Sequence, residues 1–219
     1  MEIRKITEAA MPTRYGTFRI YGFAATDASE DVVALVMRDP ARAEAPLVRI
    51  HSQCLTNEIF GSSRYDCGEQ LHLALERISA ESEGILIYQF AEGRGIGLMN
   101  KLIAYELQDS GHDTVEANRR LGFDPDLRSY ALCAAVLGYF GIDSVRLMSN
   151  NPRKLDALAE AGLSRVERVP IEVPPSETSA GYLRTKKDKL GHLLSLVEET
   201  VESASTKEGG RPEDSRPRR

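Results

Sequence analysis

The chain has 219 residues, 42% of them hydrophobic, which is enough to fill the core of one large domain or two small ones. Its formal net charge of −5 argues against general nucleic-acid binding, which calls for a basic face, yet leaves room for a phosphate-bearing ligand held by a local cluster of Arg and Lys. Three cysteines make no disulfide framework and suit a reducing compartment; no long apolar run marks a signal peptide or a membrane span, so the expectation is a soluble, cytoplasmic protein.

In chain order, the first forty-odd residues read as short strands. Thr17 to Phe23 and Val32 to Met37 are rich in β-branched and aromatic residues, with a polar turn around Asp27 to Asp31 between them. Pro46 to Ile50 is a third strand. After Gly68 the period becomes helical, with Leu71, Ala74, Leu75 and Ile78 on one face, ending near Gly84. Ile85 to Phe90 is a continuous apolar strand of the kind buried inside a covered sheet. A glycine-rich turn, Glu92 to Gly97, leads into a helix whose apolar face is Met99, Ile103 and Leu107. His112 to Phe123 shows no clear period and reads as a loop.

Asp124-Pro125 looks like an N-cap followed by proline at the first helical position, so a helix is expected from there to Gly141, with Asp126 and Arg128 in its first turn. Val145 to Met148 is another buried strand. Asn151-Pro152 repeats the cap-and-proline start and opens a helix to Gly162. Val166 to Val173 is a last strand and Tyr182 to Val201 mostly a helix. Strands alternating with helices from Ile85 onward indicate α/β crossovers, hence an α/β fold with a mixed sheet flanked by helices. Residues 1–200 read as one domain and 201–219 as a disordered charged tail.

The chemistry-bearing residues concentrate between Arg49 and Gln70. Cys54 and Cys67 are a weak metal signal by spacing, since buried cysteine is often a small hydrophobe, and His51 is as readily a hydrogen-bonding residue as a ligand. Cys133, mid-helix beside Ala134, reads as core. The turn Glu92-Gly-Arg-Gly-Ile-Gly97 fails the dinucleotide fingerprint, but it lies between a strand and a helix, where backbone N–H groups favour anions, and Arg94 tilts it towards a ligand. An acidic residue such as Asp126 is common in a first turn; Arg128 there hints at another use. Tyr105 is either core or a polar handle, and Thr114, Ser149 and Lys154 are ordinary taken singly.

Together these pieces form ordered blocks: H-S-x-C-L-T from His51, R-x-D-C-G-x-Q-L from Arg64, E-G-R-G-I-G-L-x-N-K from Glu92, D-T-V-E-A-N-x-x-L-G-F from Asp113 and S-N-N-P-x-K from Ser149. They resemble GTP cyclohydrolase II, and the likeness continues through Glu167 to Pro170 and Tyr182 to His192, over roughly residues 1 to 195. The resemblance implies a GTP cyclohydrolase II-like fold and a riboflavin-pathway hydrolase that releases pyrophosphate from GTP, opens the imidazole ring and expels C8 as formate. It implies Cys54 and Cys67 as two zinc ligands, and Arg49, His51, Gln70, Glu92, Gly93, Arg94, Thr114, Ser149 and Lys154 as nucleotide contacts. Asp126 and Arg128 then act at the α-phosphate and Tyr105 in ring opening, with Mg²⁺ on the triphosphate and a homodimer as the assembly. A guanidinium with a pKa above about 12 stabilises developing phosphate charge more readily than it attacks, which sets the role expected of Arg128.

The sequence departs from the family pattern at one end of this site. Tyr65 stands where a third zinc-binding cysteine is expected, Gln53 where glutamate is usual, and Ala91 where glutamine precedes the E-G-R turn. The phosphate end, Arg94, Asp126, Arg128 and Lys154, is intact. A zinc-bound water reaches a pKa near 7 and supplies the ring-opening hydroxide, whereas phosphate cleavage depends on cationic positioning, so the two halves are separable. The readings that follow are a site rebuilt around Cys54, Cys67 and Tyr65 or His51, an enzyme that only splits the nucleotide into monophosphate and pyrophosphate, action on a different nucleotide, or a non-catalytic nucleotide sensor or subunit.

Overall fold

A computed structural model of the chain describes residues 2–26, 30–176 and 178–197. The expected turn at Asp27 to Asp31 lies partly outside these residues, as do the end of the expected last helix and the whole 203–219 tail.

One seven-stranded mixed sheet organises the chain: β1 (Ile3–Thr13), β2 (Gly16–Ala25), β3 (Asp31–Met37), β4 (Leu47–Ser52), β5 (Gly84–Gln89), β6 (Ser144–Met148) and β7 (Arg165–Val169), in the spatial order β1-β2-β3-β5-β4-β6-β7. The first two strands are longer than the sequence suggests, 11 and 10 residues, and form an antiparallel hairpin on which β3 continues. β3 pairs antiparallel with β5, whereas β5, β4, β6 and β7 run parallel. The helices are α1 (Leu55–Glu58), α2 (Cys67–Glu81), α3 (Gly97–Asp109), α4 (Thr114–Arg120), α5 (Ala131–Tyr139), α6 (Pro152–Glu160) and α7 (Ala180–Leu190).

The period of two along each strand divides the core into two layers. Val32, Ala34, Val36, Ile85, Ile87, Val145 and Leu147 face α5 and α6. Leu35, Leu86 and Met148 face the opposite way, onto Ala74, Leu75 and Ile78 of α2. Strands covered on both faces read as continuous apolar runs, which is why Ile85 to Phe90 was legible as an interior strand. The chain leaves β4 for β5 on one side and later returns to lay β6 on its other side. The carboxyl end of β4 is therefore a topological switch point, where open α/β sheets form their crevice.

Four expectations change. Residues 112–123 hold α4, started by a capping box: the Asp113 carboxylate accepts from the Val115 and Glu116 N–H groups, and Glu116 reaches back to the Asp113 N–H. No helix starts at Asp124-Pro125. Residues 124–130 are irregular and α5 begins only at Ala131, because the segment is pinned elsewhere: the Leu127 N–H donates to the Arg94 carbonyl at 3.0 Å, and Asp126 captures the Arg128 N–H and guanidinium. On α3 the apolar residues Met99, Leu102 and Ile103 are exposed, while Lys101 and Ala104 face inward. The expected last helix is interrupted: α7 stops where Gly191 adopts φ +65°, and helix resumes at Leu196 and Val197, at the edge of the described residues. By contrast, Asn151 caps α6 as expected, its side chain accepting from the Arg153 N–H at 3.1 Å. Among the described residues no helix is long and apolar enough to cross a membrane.

Candidate functional site

A two-ended cleft opens at the carboxyl ends of β4, β5 and β6. Its cysteine end, about 520 Å³, is lined by Cys54, Tyr65, Cys67, Ala91, Gly93 and Lys101 among others. Its cationic end, about 660 Å³, is lined by Arg49, Ser149, Lys154, Lys186 and His192 among others. Ser52, Cys67, Arg94, Arg128 and Tyr182 line both, so the two ends are continuous.

The cysteine end is built by the loop between β4 and α2. Buried Asn57 pins it, donating to the Ser62 carbonyl at 2.8 Å and the Tyr65 carbonyl at 3.1 Å and accepting from the Gly68 N–H. A Cβ at Gly68 would lie 2.9 Å from that Asn57 oxygen, so the first turn of α2 needs glycine there. The Glu92 carboxylate ties this loop to the glycine turn: one oxygen accepts from the Leu55 N–H at 2.8 Å, the other from the Gly93 N–H and from the Lys101 ammonium at 2.7 Å. In the turn itself Gly93, Arg94 and Gly95 have φ of 61°, 62° and 93°, a left-handed run that aims the Arg94 side chain across to Thr114, whose hydroxyl it meets at 2.8 Å.

Lys101 also stands 3.2 Å from the Cys54 sulfur. Hydrogen bonding from the Cys67 thiol and this ammonium pull the Cys54 thiol down to about 6, so Cys54 is the thiolate of the pair and Cys67 the thiol, held well above its ordinary value. Burial works against charge on Lys101, but the Cys54 thiolate and Glu92 outweigh it and keep the ammonium protonated.

Zinc requires a third ligand here, and the residues present do not supply one. Tyr65 is buried, its ring edge-on to Tyr182 at 4.3 Å, and burial pushes its phenol well above the ordinary value, away from the phenolate that would bind metal. The His51 Nε2 is committed to the Glu58 carboxylate at 2.8 Å, with burial holding the ring neutral down to about 4. Among the described residues no group of three or more His, Cys, Asp or Glu side chains converges on a point. The positive charge next to the Cys54 thiolate is Lys101. The expected zinc site therefore does not fit this arrangement.

The phosphate end is cationic and ordered. Arg128 grips Asp126 through two parallel bonds, Nε to Oδ1 at 2.8 Å and the outer nitrogen to Oδ2 at 2.7 Å, and its remaining nitrogen reaches the Ser52 hydroxyl at 3.2 Å. Asp126 is buried, yet the Arg128 fork holds its carboxyl below the ordinary range. Arg49 is fixed by the Met148 carbonyl at 2.9 Å and the Gln70 amide oxygen at 2.8 Å. Lys154 donates to the Ile50 carbonyl at 2.8 Å; burial, then Arg49 and Arg128, push its pKa well down. Ser149 caps the turn into α6 rather than facing outward alone, its hydroxyl accepting from the Asn151 N–H at 3.1 Å.

Of the residues singled out in the sequence, Arg49, His51, Cys54, Cys67, Gln70, Glu92, Gly93, Arg94, Thr114, Arg128, Ser149 and Lys154 all line the cleft. Asp126 stands behind Arg128, and Tyr105 beyond the cysteine wall, its hydroxyl 2.8 Å from that of Thr56. Cys133 is core, its thiol donating to Gln89 at 3.3 Å. Sequence reasoning gave no role to Lys101, Asn57, Tyr182, Lys186 or His192. Lys101 carried no signal in the sequence, because the apolar period of its helix runs through Met99, Ile103 and Leu107 and places it on another face.

The profile of the GTP cyclohydrolase II family matches residues 4–170. A riboflavin biosynthesis protein RibBA of Bacillus cereus is 50% identical over 194 residues, 89% of this chain and 49% of that protein. RibBA of Bacillus subtilis is 50% identical over 193 residues, covering 88% and 48%, and a riboflavin biosynthesis protein of Vibrio vulnificus 50% over 192, covering 88% and 52%. The chain thus spans about half the length of these curated relatives. A solved structure of RibBX, a two-domain 3,4-dihydroxy-2-butanone 4-phosphate synthase from A. baumannii, aligns with a TM-score of 0.46 at 18% identity, covering 76% of this chain and 40% of that one, a likeness too slight to carry an argument.

Proposed function

The chain belongs to the GTP cyclohydrolase II family, and from that premise we propose that it binds GTP, as its Mg²⁺ complex, or a close relative and cleaves the α–β phosphate linkage. The observation that carries the reading is the contrast between the two ends of one cleft: the phosphate end is an ordered set of cations, and the cysteine end holds an ammonium beside a thiolate instead of a third metal ligand. The base would enter the aromatic end beside Tyr65 and Tyr182, with the phosphates on Arg49, Arg94, Arg128 and Lys154.

In the proposed step water adds to the α-phosphorus and gives up its proton to solvent, the bond to the bridging oxygen breaks, and pyrophosphate leaves with the electron pair. Charge in such a transition state spreads over the phosphoryl oxygens, and catalysis is mostly positioning and electrostatic stabilisation. Arg128 suits this role because Asp126 fixes its plane beforehand, so no reorganisation is needed as charge develops. The Asp126 carboxylate, held below its ordinary range and occupied by Arg128, orients that guanidinium rather than serving as a strong base. The residues at the cysteine end do not fit the metal that would supply a ring-opening hydroxide.

Phosphorus NMR of GTP incubated with the purified protein tests the reading. Pyrophosphate and a nucleoside monophosphate are expected; GTP binding without any pyrophosphate would overturn it in favour of a nucleotide sensor. The assembly is proposed as a homodimer, in keeping with the exposed Met99, Leu102 and Ile103 face of α3; a monomer by sedimentation equilibrium would refute that part.

A further inference from the structure

The segment after β7 supplies one wall of the cationic end. Tyr182 on α7 packs edge-on against Tyr65, and Lys186, one turn on, sits 2.9 Å from Asp66 and 4.2 Å over the Tyr182 ring. Gly191, in the left-handed region, then turns the chain back. The His192 N–H returns to the Lys186 carbonyl at 3.0 Å, and the Leu193 N–H donates to the Asn150 carbonyl at 2.8 Å. Arg168 donates to the Leu193 carbonyl at 2.8 Å. His192 is thereby fixed between α7 and the loop before α6.

No Asp or Glu side chain is among the described residues lining this end of the cleft. Arg49, Arg94, Arg128, Lys154 and Lys186 do line it, with His51 and His192. Arg128 is balanced by Asp126 and Lys186 by Asp66, but Arg49 and Arg94 face the cavity with no lining carboxylate, so an anion that fills it is favoured. Five of the side chains lining this end also hold a buried nitrogen without a hydrogen-bond partner: Arg49 Nε, His51 Nδ1, Arg94 Nη1, Asn151 Nδ2 and His192 Nδ1. Both features point to an anion with several oxygens, larger than the single phosphate that Arg128 and Lys154 would engage.

We propose that Lys186 and His192 form the outer half of a polyphosphate subsite, so that the segment after β7 binds the leaving pyrophosphate portion of the substrate. The inference rests on the nucleotide reading and extends it to two residues that reading leaves without a role. Lys186 would turn from Asp66 towards the phosphate oxygens, a short swing about its flexible stem. His192 faces Lys186 on α7, Arg128 before α5 and Lys154 on α6, with Arg49, His51 and Arg94 elsewhere on the cavity wall and Asp66 behind Lys186. Burial first, then those three cations, hold its imidazole neutral down to about 3. A polyphosphate placed among them reverses the local field, so binding should draw a proton onto His192.

The test is calorimetric titration of the full chain with sodium tripolyphosphate at pH 6.5, in two buffers of different ionisation enthalpy. Wild type should take up more protons on binding than His192→Gln does, since both share whatever protons tripolyphosphate itself releases. Lys186→Gln should bind about ten- to a hundredfold more weakly, the worth of one hydrogen bond to a charged group, while Lys186→Arg keeps most of the affinity. His192→Gln, melting like wild type, should lose this excess uptake. Wild-type affinity in Lys186→Gln, or unchanged uptake in His192→Gln, overturns this inference alone. A wild-type protein that binds neither tripolyphosphate nor GTP overturns it together with the nucleotide reading.

Discussion

Replacing Lys101 with methionine removes one buried charge while keeping the length of the side chain. The Lys101 side chain is 8% exposed and that of Glu92 7%, with 2.7 Å between their charged atoms and the Cys54 sulfur 3.2 Å away on the other side. Deleting the cation therefore leaves a carboxylate and a thiolate buried without their neutralising partner. Breaking a buried pair in this way costs about 3–5 kcal/mol, or on the order of 10 °C in melting temperature for a chain of this size. The Glu92 contacts to the Leu55 and Gly93 N–H groups survive, so the fold should persist. The Cys54 thiol, now at about 6, loses its second support after Cys67 and should rise. Two assays read the change: a thermal melt, and mass-mapped iodoacetamide labelling of Cys54 at pH 7, which should slow several-fold as the thiolate fraction falls. Lys101→Arg should recover part of both. A variant that melts and labels like wild type would refute the claim that this ammonium balances the buried anions.

Arg128→Ala should lower pyrophosphate release about 10²- to 10³-fold, the usual loss when one preorganised charge-stabilising donor goes, and wild-type turnover would remove Arg128 from the mechanism. Tyr65→Cys restores a third thiol beside Cys54 and Cys67 and should raise zinc content towards one per chain by elemental analysis; no gain would mean that Lys101 and Tyr182 have closed the position. His51 gives the protein an acid-sensitive core. The unfolded chain protonates this ring near 6.5 and the folded chain only near 4, so between those values the unfolded state holds more protons and stability falls as pH is lowered. From pH 6.5 to 5 the loss is about 2 kcal/mol at roughly 1.4 kcal/mol per unit, readable as a shift in urea midpoint. An equal acid slope in His51→Gln would refute the assignment.

Much of the fold was legible because burial on both sides writes itself into the strands: Ile85 to Tyr88 is an unbroken apolar run, and Val145, Leu147 and Met148 are apolar around Arg146 alone. The helix of residues 67–81 showed its face through Ala74, Leu75 and Ile78 for the same reason. Local rules failed where distant partners decide. Asp124-Pro125 has the letters of a helix start, but Asp126 spends its carboxylate on Arg128, and Leu127 bonds to the Arg94 carbonyl. The capping box of α4 was present in Asp113 and Glu116 and was outweighed by the absence of a clear apolar period. At the site, the conjunction of motifs located the cleft. What surrounds Tyr65 was not legible, because Tyr182 and Lys101 arrive from residues 117 and 36 positions away.

The most direct measurement is mass spectrometry of the products formed from GTP by protein whose zinc content has been determined, with and without added Zn²⁺. The expected result is zinc-poor protein that releases pyrophosphate and a nucleoside monophosphate and does not change its products when Zn²⁺ is added. Stoichiometric zinc together with formate and an opened pyrimidine would contradict it, since the thiolate–ammonium pair would then not describe the working site.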